Sequence, residues 1–427
     1  DFVKDLPAEL GENILSCLDA QSLTNIERVN KCWQQAARSR HIWRNLFMSE
    51  YGHNPHPVRE PLLPVGAAGI GRREPQKDWR LMYKARKEIE RNWRHGNGSA
   101  IYLSGHTDSV YCVQFDNEKL ITGSRDRTIR VWDLHNYQCL KVVGGPSSQP
   151  TEPHKYQKVV DGYTVFKAPC VNGTAYGNAI FHAPRDFHSA SVLCLQYDSE
   201  IMVTGSSDNT CIVWDIKTFQ PIRRLFRHSA GVLDICFDDK HIISCSKDAS
   251  IIVWDRATGT VIRTLLGHRG PVNAVQLRGN LLVSASGDGV ARLWNIESGS
   301  CVREFASRDR GLAAVEFSDD ARFVLAGGND QVIYKFDART GDLVGTYKGH
   351  EALVRSLFLD TRNNRIISGS YDLSLRVYDY EKGGEVATFP QWTTSWMLSA
   401  KSDYRRIVST SQDGRILIVD FGYGVEG

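Results

Sequence analysis

Two kinds of hydrophobic spacing divide the chain. Over residues 1–50 the apolar positions recur three and four apart: Leu6, Leu10, Ile14, Leu15 and Leu18, then Leu23, Ile26, Val29 and Trp33, and finally Trp43, Leu46 and Phe47. That is helical periodicity, and it predicts three short helices. Residues 52–76 carry five Pro and four Gly, the composition of a loop or linker. Beyond them Trp79, Met82, Arg86, Ile89 and Trp93 fall on one face of a helix of about four to five turns, a spacer. From residue 99 the pattern changes to short apolar runs such as Ile251 to Trp254, with turn residues between them.

This second region repeats itself. Trp132-Asp133, Trp214-Asp215, Trp254-Asp255 and Trp294-Asn295 are followed by weaker copies at Phe336-Asp337, Tyr378-Asp379 and Val419-Asp420. The intervals after the second copy are 40, 40, 42, 42 and 41 residues. About 40 residues make four short strands, one blade of a β-propeller. An Asp stands six residues before each of these positions: Asp126, Asp208, Asp248, Asp288, Asp330, Asp372 and Asp413. His106, His188, His228, His268 and His350 precede the aromatic by 26 or 28, and copies five and seven have no such His. A ring must hide its edge strands. Ala100 to Leu103 has strand character and no blade of its own, so it is expected to supply the outer strand of the blade ending at Asp420, closing seven blades. The 82 residues between Trp132 and Trp214 are twice the period, room for a hidden eighth blade. The extra stretch, rich in Pro and Gly and lacking the Asp and Trp landmarks, instead reads as a loop insertion at about 144–187.

These residues resemble the WD-repeat family over 99–423. The resemblance implies that each Asp sits in a turn between the second and third strands, bonds the His of the preceding loop, and reaches the Trp through a strand hydroxyl. The hydroxyls here would be Thr122, Thr204, Ser244, Ser284, Ser368 and Ser409. A hydroxyl, a His and an Asp together suggest a hydrolase, but no catalytic site is needed five times over, so the set reads as structural. Leu6-Pro7 with Ile14, Leu18, Leu23, Val29, Trp33 and Trp43 resembles the F-box, which docks the Skp adaptor of a cullin-RING ubiquitin ligase. A module this small cannot enclose all its apolar side chains, which makes Leu6, Pro7, Leu10, Ile14 and Leu18 the expected adaptor-binding surface. The fold class expected is α plus all-β: an N-terminal helical F-box at 1–50, a linker with a helical spacer at 51–98, and a seven-bladed WD-repeat propeller at 99–427. That order is the layout of ubiquitin-ligase substrate receptors.

The residues just after each blade's first Val or its equivalent form one column around the central opening: Tyr111, Leu193, Leu233, Asn273, Ala313, Arg355 and Trp396. Those preceding each turn Asp form a second: Arg125, Ser207, Lys247, Gly287, Asn329, Tyr371 and Gln412. With Arg310 added, Arg125, Lys247, Arg310 and Arg355 surround one mouth. Cations facing each other across a ring imply an anionic ligand, and guanidinium forks suit phosphate. Segments such as Ser191 to Asp198 and Leu353 to Ser356 also resemble the β-transducin-repeat-containing F-box proteins. That resemblance implies a doubly phosphorylated Asp-Ser-Gly-x-x-Ser degron, contacted at Tyr111, Arg125, Ser191, Ser207, Leu233, Asn273, Arg310 and Arg355. Lys247 joins this set on charge alone.

Composition narrows the partners further. The 427 residues are 41% hydrophobic with no long apolar run, so no membrane partner is expected. A formal charge of +3 gives no bulk reason to expect nucleic acid. The local excess of +5 over residues 71–95 reads as a solvated face, its signs alternating. Ten cysteines show no CxxC pair and no metal-ligand spacing, so they read as reduced thiols and no metal or cofactor is expected. No secretory signal opens the chain, and a cytoplasmic or nuclear setting follows. The expected partners are the Skp adaptor, through it cullin and RING subunits, and phosphorylated substrates; any homodimer would form through sequence outside these residues. A non-catalytic receptor is expected, since no P-loop or unique catalytic set occurs. Two alternatives stand beside it: a receptor for singly phosphorylated Thr-Pro degrons on an eight-bladed propeller, and a propeller scaffold without ligase function.

Overall fold

The computed structural model describes residues 7–52, 78–145, 157–160, 163–171, 176–306 and 311–425, which form two compact units. The first is helical: α1 (Ala8–Leu15), α2 (Ala20–Ile26), α3 (Lys31–Ala37), α4 (Arg40–Tyr51) and α5 (Trp79–His95). Among the described residues of this segment, four helices rather than three occur between Ala8 and Tyr51. The run from Leu23 to Trp33 is split because the Asn30 side chain accepts from the N–H groups of Cys32 and Trp33 at 2.9 and 3.0 Å, capping a new helix. Asp19 caps α2 and Asp78 caps α5 in the same way. Gly96, at φ 67°, ends α5 in the left-handed conformation that glycine adopts without strain. Leu15, Leu23, Ala37, Ile42, Trp43, Phe47 and Tyr83 form the unit's core. Arg80 of α5 donates two hydrogen bonds, of 2.6 and 2.8 Å, to the buried Glu27 carboxylate just after α2. At the other end of α5, Trp93 stacks on Phe421, ring centroids 3.8 Å apart.

The second unit is a β-propeller of seven sheets. Six have four strands each, and the sheet of blade 1 has seven. Ser99–Leu103 pairs antiparallel with Ile416–Asp420, so the strand that opens the propeller completes the last blade. Both ends of the propeller segment thus build one blade, and backbone hydrogen bonds close the ring.

The segment read as a loop insertion is instead sheet. Gln157–Val160, Tyr163–Val171 and Tyr176–Ala183 are strands, and the last of them pairs parallel with Cys139–Val143, the outer strand of blade 1. Pro and Gly content had pointed to a loop. Composition does not show pairing: Pro169 and Gly177 lie within paired strands of the sheet extension. Among the described residues the interval holds no eighth blade.

Candidate functional site

Within each blade the turn between the second and third strands is a tight one. A backbone bond such as Arg127 N–H to Ser124 O (3.2 Å) closes it, and the residue after the Asp has positive φ: Arg127, Asn209, Ala249, Gly289, Gln331, Leu373 and Gly414, at 65° to 85°. Only two of these are Gly, so the left-handed strain at the rest is held by the surrounding bonds. In blade 1, Trp132 Nε1 donates to Thr122 Oγ1 (3.0 Å), Thr122 meets His106 Nε2 (2.8 Å), and His106 Nδ1 meets the Asp126 carboxylate (2.8 Å). The direction that satisfies every group has Trp donating to Thr, Thr to a neutral His, and His to an ionised Asp.

Burial holds His106, His228 and His268 below the usual histidine range. Burial alone would raise Asp126, but His106 and the Thr128 hydroxyl outweigh it and keep the carboxyl well below the usual carboxylate range. The same chain recurs through Asp208, Asp248 and Asp288; in blade 6 Asp372, His350 and Ser368 repeat it with Tyr378 at the Trp position. Ser409 takes no such part. In blade 7, which has no His, Asp413 accepts instead from Ser411 and Thr394, each at 2.5 Å. Blade 5 pairs Asp330 with the Tyr334 hydroxyl.

One set of seven backbone bonds defines the top face. The residue before each turn Asp donates its N–H to the residue just ahead of the blade's first strand: Arg125 to Ser109, Ser207 to Ser191, Lys247 to Gly231, Gly287 to Pro271, Asn329 to Gly311, Tyr371 to Leu353 and Gln412 to Trp396, all at 2.8 to 3.0 Å. Arg125, Ser191, Ser207 and Lys247 are thereby brought to one face. Arg125 and Lys247 are exposed, and Asp108 lies 3.7 Å from Arg125.

A second feature recurs one step inward. Every first strand carries a β-bulge near its start, and the residues set out of register are Tyr111, Leu193, Leu233, Asn273, Ala313, Arg355 and Leu398. A bulge re-aims its side chain. Tyr111, Leu233, Asn273 and Arg355 therefore share one ring position. Trp396 does not: the blade 7 column residue is Leu398, and Trp396 belongs with the outer set. Blade 7 has lost the His and Trp that fix the count, so sequence spacing placed its first strand two residues early. Arg355 donates to the Ala313 carbonyl (3.4 Å) and Asn273 to the Leu312 carbonyl (2.6 Å), so from either side both lean on the first strand of blade 5. Arg310 and Leu6 lie outside the described residues. Pro7, Leu10 and Ile14 are exposed, the last two at 50% and 47%, while Leu18 packs partly against the helical core.

The sequence reading missed the residues that stitch blades together. Gln114 both donates to the Tyr197 carbonyl (3.0 Å) and accepts from its N–H (2.6 Å). Gln196 accepts from Phe237 N–H, Asp234 from Val275, Gln276 from Phe317 and Ser356 from Ala400. Lys401 reaches the buried Glu316 at 3.3 Å, linking blades 5 and 7. Burial pushes the Asp234 carboxyl up to about 6, against the Val275 N–H and the positive charge of Lys401, Arg355 adding less. A polar residue recurring two or four positions past each first-strand Val was the available signal. No cluster of three His, Cys, Asp or Glu that would hold a metal occurs among the described residues.

The fold and its top face define a WD-repeat propeller preceded by a small helical module. Family models agree: one described as F-box-like matches residues 3–49, and one described as WD domain, G-beta repeat matches 99–133, 185–215, 219–255, 259–295 and 341–379. The chain belongs to the F-box and WD-repeat proteins. The blades left unmatched, five and seven, are the two without the His. Relatives include the probable E3 ubiquitin ligase complex SCF subunit sconB of Arthroderma otae, 31% identical over 34% of this chain and 24% of that protein. An F-box protein of Saccharomyces cerevisiae is 32% identical over 33% of this chain and 24% of its own length. F-box and WD repeat domain-containing 11-A of Danio rerio is 32% identical over 34% and 29%. The match thus spans about a quarter of these relatives' length. Among solved structures, the WD40 β-propeller domain of Doa1 superposes with a TM-score of 0.59 at 21% identity, covering 75% of this chain and 95% of that one. The computationally designed Ika8 protein does so at 0.56 and 23%, covering 74% and 97%; both show the fold alone.

Proposed function

We propose that the protein is a substrate receptor of an SCF-type ubiquitin ligase. Its F-box docks the Skp adaptor, and through it cullin and RING subunits, while the propeller's top face holds a doubly phosphorylated Asp-Ser-Gly-x-x-Ser-like degron. The receptor itself is non-catalytic and works in the cytoplasm or nucleus. The observation that carries the reading is the joining in one chain of a helical module with Leu10 and Ile14 exposed and a propeller whose top face gathers Arg125, Lys247 and Arg355. The relatives named as SCF subunits support it. Arg125 and Arg355, with Arg310 as a third guanidinium, clamp the two phosphates; a phosphoserine brings about −1.5 to −2 charges and three acceptor oxygens. Tyr111 and Leu233 pack the short apolar part between them, Ser191 and Ser207 offer hydroxyls, and Asn273 faces the peptide backbone. The eight-bladed alternative loses its premise with the sheet extension of blade 1. Two measurements test the proposal. Leu10→Asp with Ile14→Asp abolishes adaptor pulldown while phosphopeptide binding persists. In fluorescence anisotropy the doubly phosphorylated peptide binds more tightly than the singly phosphorylated and unphosphorylated forms; equal affinity for all three removes the degron reading.

A further inference from the structure

Blade 7, like blade 5, lacks the His that pins the approach loop in the other blades, yet its loop is fixed by other means. Thr394 donates to the Asp413 carboxylate at 2.5 Å, Ser395 to Gln412 Oε1 at 3.2 Å and Thr393 to the Ser395 carbonyl at 3.0 Å. These bonds hold Trp396 at the top-face position occupied in the other blades by Ser109, Ser191, Gly231, Pro271, Gly311 and Leu353. Trp396 is the largest of the seven and is 45% exposed. It lies parallel to Tyr371, ring centroids 4.5 Å apart and planes 10° apart. Tyr371 is in turn bonded through its N–H to Leu353, two residues before Arg355. A flat, half-exposed π surface is thus held by several side chains on the top face, one of its rings belonging to the blade that carries Arg355.

We infer that the Trp396–Tyr371 pair is a specificity subsite that takes an aromatic side chain of the bound phosphopeptide. The inference rests on the phosphopeptide reading and adds a residue preference that the phosphates alone do not supply. Charge argues for a neutral ring, since a Lys or Arg of the ligand placed there would meet the field of Arg355. Geometry argues for an aromatic one, since a parallel pair offers its outer face to a third ring in offset stacking, which adds to the gain from burial.

The test uses the full chain and a set of doubly phosphorylated Asp-Ser-Gly-x-x-Ser peptides in which one Phe is walked through the x positions and the two residues on either side. The expected result is one position at which Phe binds about tenfold more tightly than Ala. Trp396→Ala removes that gain while leaving the affinity for the all-Ala peptide unchanged, which also shows that the variant is folded. Tyr371→Phe, which keeps the ring, keeps the gain. No position with more than a twofold preference, or a gain that survives Trp396→Ala, overturns the subsite while the phosphopeptide reading stands. A Pro or Lys peptide that gains as much at the same position overturns the aromatic occupant. Binding by none of the peptides overturns the phosphopeptide reading and the subsite with it.

Discussion

Blades 1 to 4 differ from blades 5 and 7 in what holds their top-face turns. The former tie the turn Asp to a buried His, a strand hydroxyl and a Trp; the latter use local partners, Tyr334 in one and Thr394 with Ser411 in the other. The geometry that results is the same, since all seven turns keep the positive φ and the bond back to the first strand. The buried chain therefore serves stability. Where it is missing in blade 7, Thr394 and Ser395 hold the approach loop instead.

The largest expected effect in this comparison is on packing. Trp254→Ala removes a fully buried indole and its hydrogen bond to Ser244, and is expected to cost about 3 to 5 kcal/mol. Val419→Ala in blade 7 leaves a smaller cavity and costs less. Thermal melting of both variants checks the order, and equal losses would mean that the Trp position is not what anchors a blade. Next in size, Asp248→Ala leaves the His228 N–H and the Ser229 and Ser250 backbone donors unpaired, at about 1 to 3 kcal/mol. Asp413→Ala, at a more exposed site, is expected to lower stability less. If instead Asp248→Ala left melting unchanged and weakened only ligand binding, the network would be functional rather than structural.

Arg355→Ala should invert that pattern. It is expected to leave the melting temperature within about a degree and to weaken the doubly phosphorylated peptide by about one to two decades, as the loss of a charge-assisted contact implies. Affinity that does not fall with added salt would speak against a Coulombic clamp.

The smallest effect per residue is expected from pH. His106, His228 and His268 have folded values below the unfolded one near 6.5, and burial takes His182, aided by Lys141, down to about 4. A depressed folded value means that stability is complete above pH 6.5 and is lost on acidification, as the unfolded chain takes up protons that the folded one refuses. The depressed carboxyl groups of Asp126, Asp248 and Asp288 continue the loss at lower pH. Melting temperatures between pH 7.5 and 4.5 should fall steadily below 6.5, and the fall should be shallower in a His228→Gln protein. A stability maximum near pH 5 would contradict the neutral assignment of these rings.

Much of this was legible in the chain itself. A period of 40 to 42 residues, the Asp six places before each aromatic, and Ala100 to Leu103 with no blade of its own were enough for seven blades and their closure. The reason is that four strands joined by tight turns are a local object, so the spacing of landmarks survives folding unchanged. The Trp-to-hydroxyl-to-His-to-Asp chain was legible for the same reason, wherever all its members recur. Tertiary structure decided what depends on pairing between distant segments. Tyr176–Ala183 becomes sheet because it finds the free edge of Cys139–Val143, more than thirty residues earlier, which composition cannot reveal. The blade-to-blade bonds of Gln114, Gln196 and Gln276 exist only once two first strands lie side by side at the centre of the ring. The register of blade 7 was settled by a bulge. In a strand the side-chain period is two, so a single extra residue decides which side chain faces the mouth, and only the hydrogen-bond ladder shows that Leu398 fills the column while Trp396 stacks on Tyr371 beside it.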